Sequence, residues 1–290
     1  MIRMQLHVQL KYEISEPGAD FIFNIHAAHT PCQLVMDEQL QVSQRIPSTV
    51  HTDASTGNRH LRLQALPGDL EIRYDATVQL QHCQDEPAHL PEVPIHLLPL
   101  DVLRYIYPSR YCQSDRLIKL ATAEFGHIPP GYGRVKAISE WIQQRVAFTS
   151  NTSTSTTSAV DTLIERTGVC RDFTHLMVAL CRALNIPARF ATGTDYGADP
   201  VLGPPDFHAY AEVYLGNRWY IFDPSGTAIP MGFVRFGTGR DAADVAFATI
   251  FGTVTSWAPL ISTIAVEDAA AGCVLPQHSA LALSTDACAG

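Results

Sequence analysis

From residue 2 to residue 10 apolar and polar side chains alternate without a break, with Ile2, Met4, Leu6, Val8 and Leu10 on one side of the pattern. A period of two marks a strand with one buried face. The pattern recurs at 21–26, 33–42, 60–66 and 70–81, separated by the turn formers Pro17-Gly18, residues 53–58 and Pro67-Gly68. Residues 1–85 therefore read as a β-rich N-terminal domain.

The period then changes. Pro87, Pro91, Pro94, Pro99 and Pro108 make residues 86–112 an extended surface connector rather than a helix. Ser114 can cap a helix carrying Leu117, Ile118, Ala121 and Phe125, ended by Pro129-Pro130-Gly131. A second helix carries Val135, Ile138, Trp141, Ile142 and Val146, and the Ser/Thr tract 149–158 reads as an exposed loop. Ser158 and Asp161 open a short helix as a capping-box variant. Between 168 and 187, Phe173, Leu176, Met177, Leu180, Cys181 and Leu184 form one stripe at the 3.6-residue period, stopped by Asn185 and Pro187. A strand over 188–193 and a Gly/Pro-rich loop over 194–205 follow. Residues 207–215 and 218–223 then form a hairpin about Gly216-Asn217. The Ala/Ser-rich end reads as a loose tail. The predicted division is a domain over 1–85, a connector over 86–112, a second domain over 113–262 and a tail over 263–290.

With 46% hydrophobic and 17% charged residues in a chain of 290, a full core can be buried. The net charge of −9 and the lack of any basic run argue against a nucleic-acid partner. No stretch approaches the roughly 18 consecutive apolar residues of a membrane span, and the start reads as a strand rather than a signal peptide. A soluble cytoplasmic protein is expected. Seven scattered cysteines without a C-x-x-C pair disfavour a disulfide framework or zinc ribbon and suit reduced thiols. His26 and His29 have no partner cluster and read as ordinary side chains.

Chemistry concentrates at Cys170, in the first turn of the 168–187 helix. A thiol attacks carbonyls as the thiolate, and a helix N-terminus with a neighbouring His⁺ lowers an ordinary thiol pKa of about 8.5. The backbone N–H of Cys170 could receive an oxyanion, and Gly168 leaves room for a substrate backbone. His175, five residues on, points about 140° away and is structural. His208 is better placed. If Leu215 pairs with Arg218, Tyr210 lies opposite Asp223, and His208 shares their face one diagonal step away. A carboxylate on one imidazole nitrogen fixes the tautomer and leaves the other nitrogen for the thiol. Glu212 is a rival carboxylate on the same face, read as structural.

Three blocks together resemble a known family: the run Thr167-Gly-Val-Cys-Arg-Asp-Phe-Thr-His that opens the 168–187 helix, Phe207-His-Ala-Tyr-Ala-Glu-Val-Tyr, and Trp219-Tyr-Ile-Phe-Asp-Pro-Ser. They resemble the transglutaminase-like superfamily, most closely its bacterial cysteine-protease branch, over roughly residues 115–255. The resemblance implies an α+β fold, with a papain-like core of helices on an antiparallel sheet or barrel after the all-β N-terminal domain. It also implies a triad of Cys170, His208 and Asp223 that forms a thioester from a peptide or amide substrate. Hydrolysis would make a protease or amidase, and resolution by an amine a transglutaminase; hydrolysis is favoured. The 194–205 loop, with Tyr196 and Gly197, is the candidate substrate-binding lip. No cofactor and no metal is implied. A non-catalytic scaffold is the competing class. A metal site on Cys170, His175 and Cys181 would need one ion to bridge about 16 Å of helix.

Overall fold

The computed structural model of the chain describes residues 1–202 and 205–286. Strands β1 (Ile2–Ile14), β2 (Ala19–Phe23), β3 (Gln33–Val42), β4 (Ser48–Thr52), β5 (Arg59–Ala65), β6 (Gly68–Leu80) and β7 (Cys83–Asp85) open the chain. β1 and β6 pair antiparallel along thirteen residues, from Ile2 opposite Leu80 to Ile14 opposite Gly68. That register puts Met4, Leu6, Val8 and Leu10 on the same face as Ile72, Tyr74, Ala76 and Val78, all buried. β2 and β5 contribute Phe21, Phe23, Leu61 and Leu63 to the same core. β4 was not legible in the sequence: all five of its residues are exposed, so no apolar alternation marks it.

The connector is not simply extended. Short 3-10 turns at Pro87–His89 and Ile95–Leu97 and the four-residue helix α1 (Leu100–Leu103) interrupt it. Leu98, Val102 and Tyr105 bury themselves against Tyr214 and Trp219, and that packing outweighs the proline-rich local preference. Helices α2 (Ser114–Phe125) and α3 (Tyr132–Arg145) follow. Ser114 is the first helical residue rather than the cap: Gln113 precedes the helix, and no side chain caps it. Next come β8 (Ala147–Phe148), α4 (Ala159–Glu165) with Ser158 and Asp161 in a reciprocal capping box, β9 (Thr167–Gly168) and α5 (Cys170–Ala183).

From Asp172 to Ala183 every residue of α5 is buried. Helices α2, α3 and α4 pack on one side of it, and a six-stranded antiparallel sheet packs on the other. The sheet contains β10 (Ala188–Thr194), β11 (Phe207–Leu215), β12 (Arg218–Phe222) and β13 (Val234–Gly239), in the order β13-β10-β11-β12, extended by a C-terminal strand and β7. The architecture is α+β, with a helix-on-sheet core after a β-rich start, as expected.

The C-terminal region departs from expectation. β14 (Ala248–Phe251) pairs with β2, while β15 (Val254–Ser256) and β16 (Leu260–Val266) pair with β1. β17 (Ala282–Ser284) sits between β12 and β7. The predicted tail is therefore built into two sheets, and residues 248–266 complete the N-terminal β layers. These strands are short, and in β16 Leu260 and Ile264 remain exposed, so the sequence carries little alternation there. Cys83 corrects the reading of uniformly reduced thiols, because it is disulfide-bonded. Cys32, Cys112, Cys170, Cys181 and Cys273 are free, and Cys288 lies outside the described residues. Among the described residues no helix is long and apolar enough to cross a membrane.

One close approach fixes the sheet beside the site. β10 and β13 shift register at Thr192/Gly193, and a Cβ on Gly193 would stand 1.9 Å from the Val234 carbonyl oxygen and 2.6 Å from the Phe233 ring. Gly193→Ala should therefore cost about 1–3 kcal/mol through overpacking, read as a lower thermal midpoint. An unchanged midpoint would show that the two strands can separate freely there.

Candidate active site

The hairpin has the predicted register. Leu215 pairs with Arg218 and Ala211 with Phe222, one residue short of Asp223. Gly216 and Asn217 both have positive φ, 52° and 69°, as a two-residue turn with the right-handed twist of its strands demands. His208 and Asp223 therefore share a face at the open end of the hairpin. His208 Nε2 lies 3.4 Å from Asp223 Oδ1.

Cys170 opens α5 and is half-buried against Phe190, Ala209 and Val245. Its thiol points toward the carbonyl of Phe207 at 3.9 Å, the residue before His208. Phe207 pairs with Thr194 and His208 with Gly193 on the neighbouring strand. Thr174, one turn along α5, donates its hydroxyl to the Ala209 carbonyl at 3.1 Å and so fixes the helix to β11. The sulfur thus lies beside His208, near enough to couple to its ring by charge. The structure thus brings Cys170, His208 and Asp223 to one place.

Burial pushes the His208 pKa down. The sulfur and the Asp223 carboxylate push it up more strongly, and together they hold it well above the ordinary imidazole value. Burial likewise pushes Asp223 up, but His208 and hydrogen bonds from its own turn hold it below the usual carboxylate range. Those bonds come from the Ser225 hydroxyl to Oδ1 at 2.5 Å and the Ala228 N–H to Oδ2 at 3.0 Å, and the Ser225 N–H also donates to Oδ1 at 3.0 Å. The carboxylate is thereby anchored before it meets the imidazole.

The three predicted substrate-binding residues behave differently. Gly168 is buried, and its open side faces Asp172: a Cβ there would lie 2.7 Å from that side chain. Asp172 by itself therefore requires a glycine at this position. Tyr196 is half-buried and Gly197 is exposed. The Tyr196 ring covers Gly232, and its carbonyl accepts the Ile229 N–H at 2.9 Å, while Gly197 abuts the Ile229 side chain. Part of the 194–205 loop, Gly203 and Pro204, lies outside the described residues.

Several site residues were missed. Asp172 accepts the Val169 N–H at 3.0 Å and the Ser153 hydroxyl at 2.9 Å, and so ties the first turn of α5 to the Ser/Thr tract. Arg171 also donates to Ser153 and to the Thr154 carbonyl. An acid three residues into a helix is the signal that could have found Asp172. Asp195, just past β10, lies 3.9 Å from His208 Nδ1. Finding it required the β10–β11 register, which the length of the intervening loop conceals.

Glu212 and His175 have structural surroundings. The fully buried Glu212 carboxylate accepts from Arg189 at 2.6 Å and from Arg235 at 3.1 Å. Burial pushes its pKa up, and the two guanidinium groups bring it below the usual value. Glu212→Ala should cost about 3–5 kcal/mol, because it leaves two arginines without their shared buried partner. Denaturant unfolding checks this, and a loss under about 1 kcal/mol would contradict it. His175 is stacked between Tyr111 and Phe190 and accepts the Ala242 N–H at 3.1 Å. Among the described residues no group of three or more His, Cys, Asp or Glu is placed to hold a metal ion.

The family profile described as the transglutaminase-like superfamily matches residues 120–224. The profile of the bacterial transglutaminase N-terminal domain matches residues 2–101. A crystal structure described as a "Putative Cysteine Protease from Cytophaga hutchinsonii" is 40% identical, with a TM-score of 0.89, and the match covers 98% of this chain and 97% of that one. An uncharacterized protein of Mycobacterium leprae is 31% identical over 117 residues. An uncharacterized protein of Mycobacterium tuberculosis is 32% identical over 109. The chain spans 42% and 35% of the lengths of these two relatives.

Proposed function

Since the chain belongs to the transglutaminase-like superfamily, we propose that it is a cysteine-dependent acyl-transfer enzyme acting on peptide or amide substrates. The observation that carries this reading is the buried His208 ring, with Asp223 3.4 Å from Nε2 and the Cys170 sulfur 3.9 Å from the carbonyl of the residue before it, close enough to couple to the ring by charge. His208 takes the thiol proton, and Asp223 orients the ring and stabilises the imidazolium that results. The sulfur then attacks the substrate carbonyl carbon, and the carbonyl π electrons move onto oxygen. The oxyanion is received by the N–H of Cys170 at the start of α5. As the intermediate collapses, the C–N bond breaks, His208 returns its proton to the leaving amine, and a thioester remains.

Water then releases a carboxylic acid, and we favour this hydrolytic outcome, that of a protease or amidase in the cytoplasm. Resolution by an amine instead would make the protein a transglutaminase. The test is a peptide-library digest followed by mass spectrometry, with and without an added primary amine. Cleaved peptides support hydrolysis, and amine-bearing peptides support transamidation. If neither product forms in a Cys170-dependent way, the proposal fails in favour of a non-catalytic scaffold.

A further inference from the structure

Asp223 is not the only carboxylate beside His208. Gly193 is cross-strand partner to His208, so Asp195, two residues on, lies on the same face as the imidazole. Its Oδ2 is 3.9 Å from Nδ1, while Asp223 Oδ1 is 3.4 Å from Nε2. The ring thus has an acid at each nitrogen, and both acids are largely shielded, with side chains 14% and 4% accessible.

Tyr210 packs against the same ring, centroids 4.6 Å apart and planes tilted by 58°. It is fully buried, and its hydroxyl has no hydrogen-bond partner among the described residues. Burial, reinforced by Asp223, Asp195 and Cys170, holds its pKa well above the ordinary phenol value, so it brings no charge of its own. The charges coupled to the ring come from Cys170 on α5, Asp195 after β10, Asp206 before β11 and Asp223 after β12. Asp206, before β11, is exposed and accepts the Phe207 N–H.

The two acids cannot play the same part. Asp223 is within hydrogen-bonding reach of its nitrogen. At 3.9 Å Asp195 is beyond hydrogen-bond range and acts on Nδ1 through charge alone. A carboxylate that gripped Nδ1 would compete with the sulfur for that proton. One held further off favours the imidazolium and leaves its N–H free to hydrogen-bond the thiolate.

We infer that Asp195 is a positioning residue, a second carboxylate that holds the His208 imidazolium beside the Cys170 sulfur from the edge opposite Asp223. The inference rests on the proposed roles of Cys170 and His208. An opposite charge at this separation moves a buried group by about 1–3 pH units.

The test is carboxymethylation of Cys170 by iodoacetate across pH, followed by peptide mass analysis. The sulfur displaces iodide, the S–C bond forms as the C–I bond breaks, and the reagent's own negative charge makes the rate depend on the imidazolium. The wild type should give a bell-shaped profile. In Asp195→Asn its alkaline limb should fall by about one pH unit. Asp195→Glu should recover at least half of that displacement, and Asp206→Asn, which removes a more exposed charge, should move the limb less than Asp195→Asn does. Asp195→Ser serves if Asp195→Asn does not fold. An unmoved limb in the neutral variant, or an equal movement in Asp206→Asn, overturns the role of Asp195 alone. A wild type with no enhanced reactivity near neutral pH overturns the functional proposal and the Asp195 role with it.

Discussion

Cys170→Ala should lower turnover by about five to six orders of magnitude, the scale seen when a nucleophile is deleted from an interdependent triad. The sulfur is the atom that becomes bonded to the acyl group, and no neighbouring group in the described site can replace it. Two of the other free thiols, Cys112 and Cys181, are fully buried in the helical core. Burial pushes Cys112 up to about 12 and Cys181 higher still, so neither forms a thiolate at neutral pH. The loss should come without a matching loss of stability, because Cys170 is half-buried at a helix end and removing one sulfur opens little space. The library digest provides the readout, with thermal unfolding as the control. Substantial cleavage by the alanine variant would remove Cys170 from the chemistry.

Asp223→Asn is the second large effect, with an expected fall in kcat/KM of about 10²- to 10⁴-fold. The amide keeps the shape but loses the charge that stabilises the imidazolium. The sign of the accompanying pH change follows from the site. Burial alone would depress His208, and the Cys170 sulfur and Asp223 together hold it well above 6.5. Removing the Asp223 charge must lower it, so the alkaline limb of kcat/KM moves to lower pH. A limb that stays in place while the rate falls would make Asp223 a structural acid.

Stability carries the same signatures with opposite slopes. Asp223 and Glu212 have depressed folded-state values. Their contribution is present above the ordinary carboxylate range and is lost as pH falls through the folded values. The raised value of His208 gives a contribution that is full below about 6.5 and is lost as pH rises through the folded value. The native protein should therefore lose stability at both extremes of pH.

Local chemistry made much of the site legible. The Gly216-Asn217 turn fixes a register, the register puts His208 and Asp223 on one face, and the apolar stripe of 168–187 places Cys170 at a helix start. Wherever a long, unpatterned connection separates two elements, that logic stops. Asp195 escaped because residues 195–206 hide how β10 pairs with β11. Strands β14, β15 and β16 escaped because their partners lie more than two hundred residues away and their own alternation is weak. Gly168 was assigned to substrate because the sequence could not show Asp172 folding back into the space a side chain would need.

The pairing of β1 with β15 and β16 has a consequence for biogenesis. As the polypeptide leaves the ribosome, β1 can meet β6 early, but its other edge stays bare until β15 and β16 have been translated. Those unmet N–H and C=O groups would readily accept a strand from a neighbouring nascent molecule. Yield on renaturation should therefore fall as protein concentration rises, and a polypeptide truncated before β14 should self-associate.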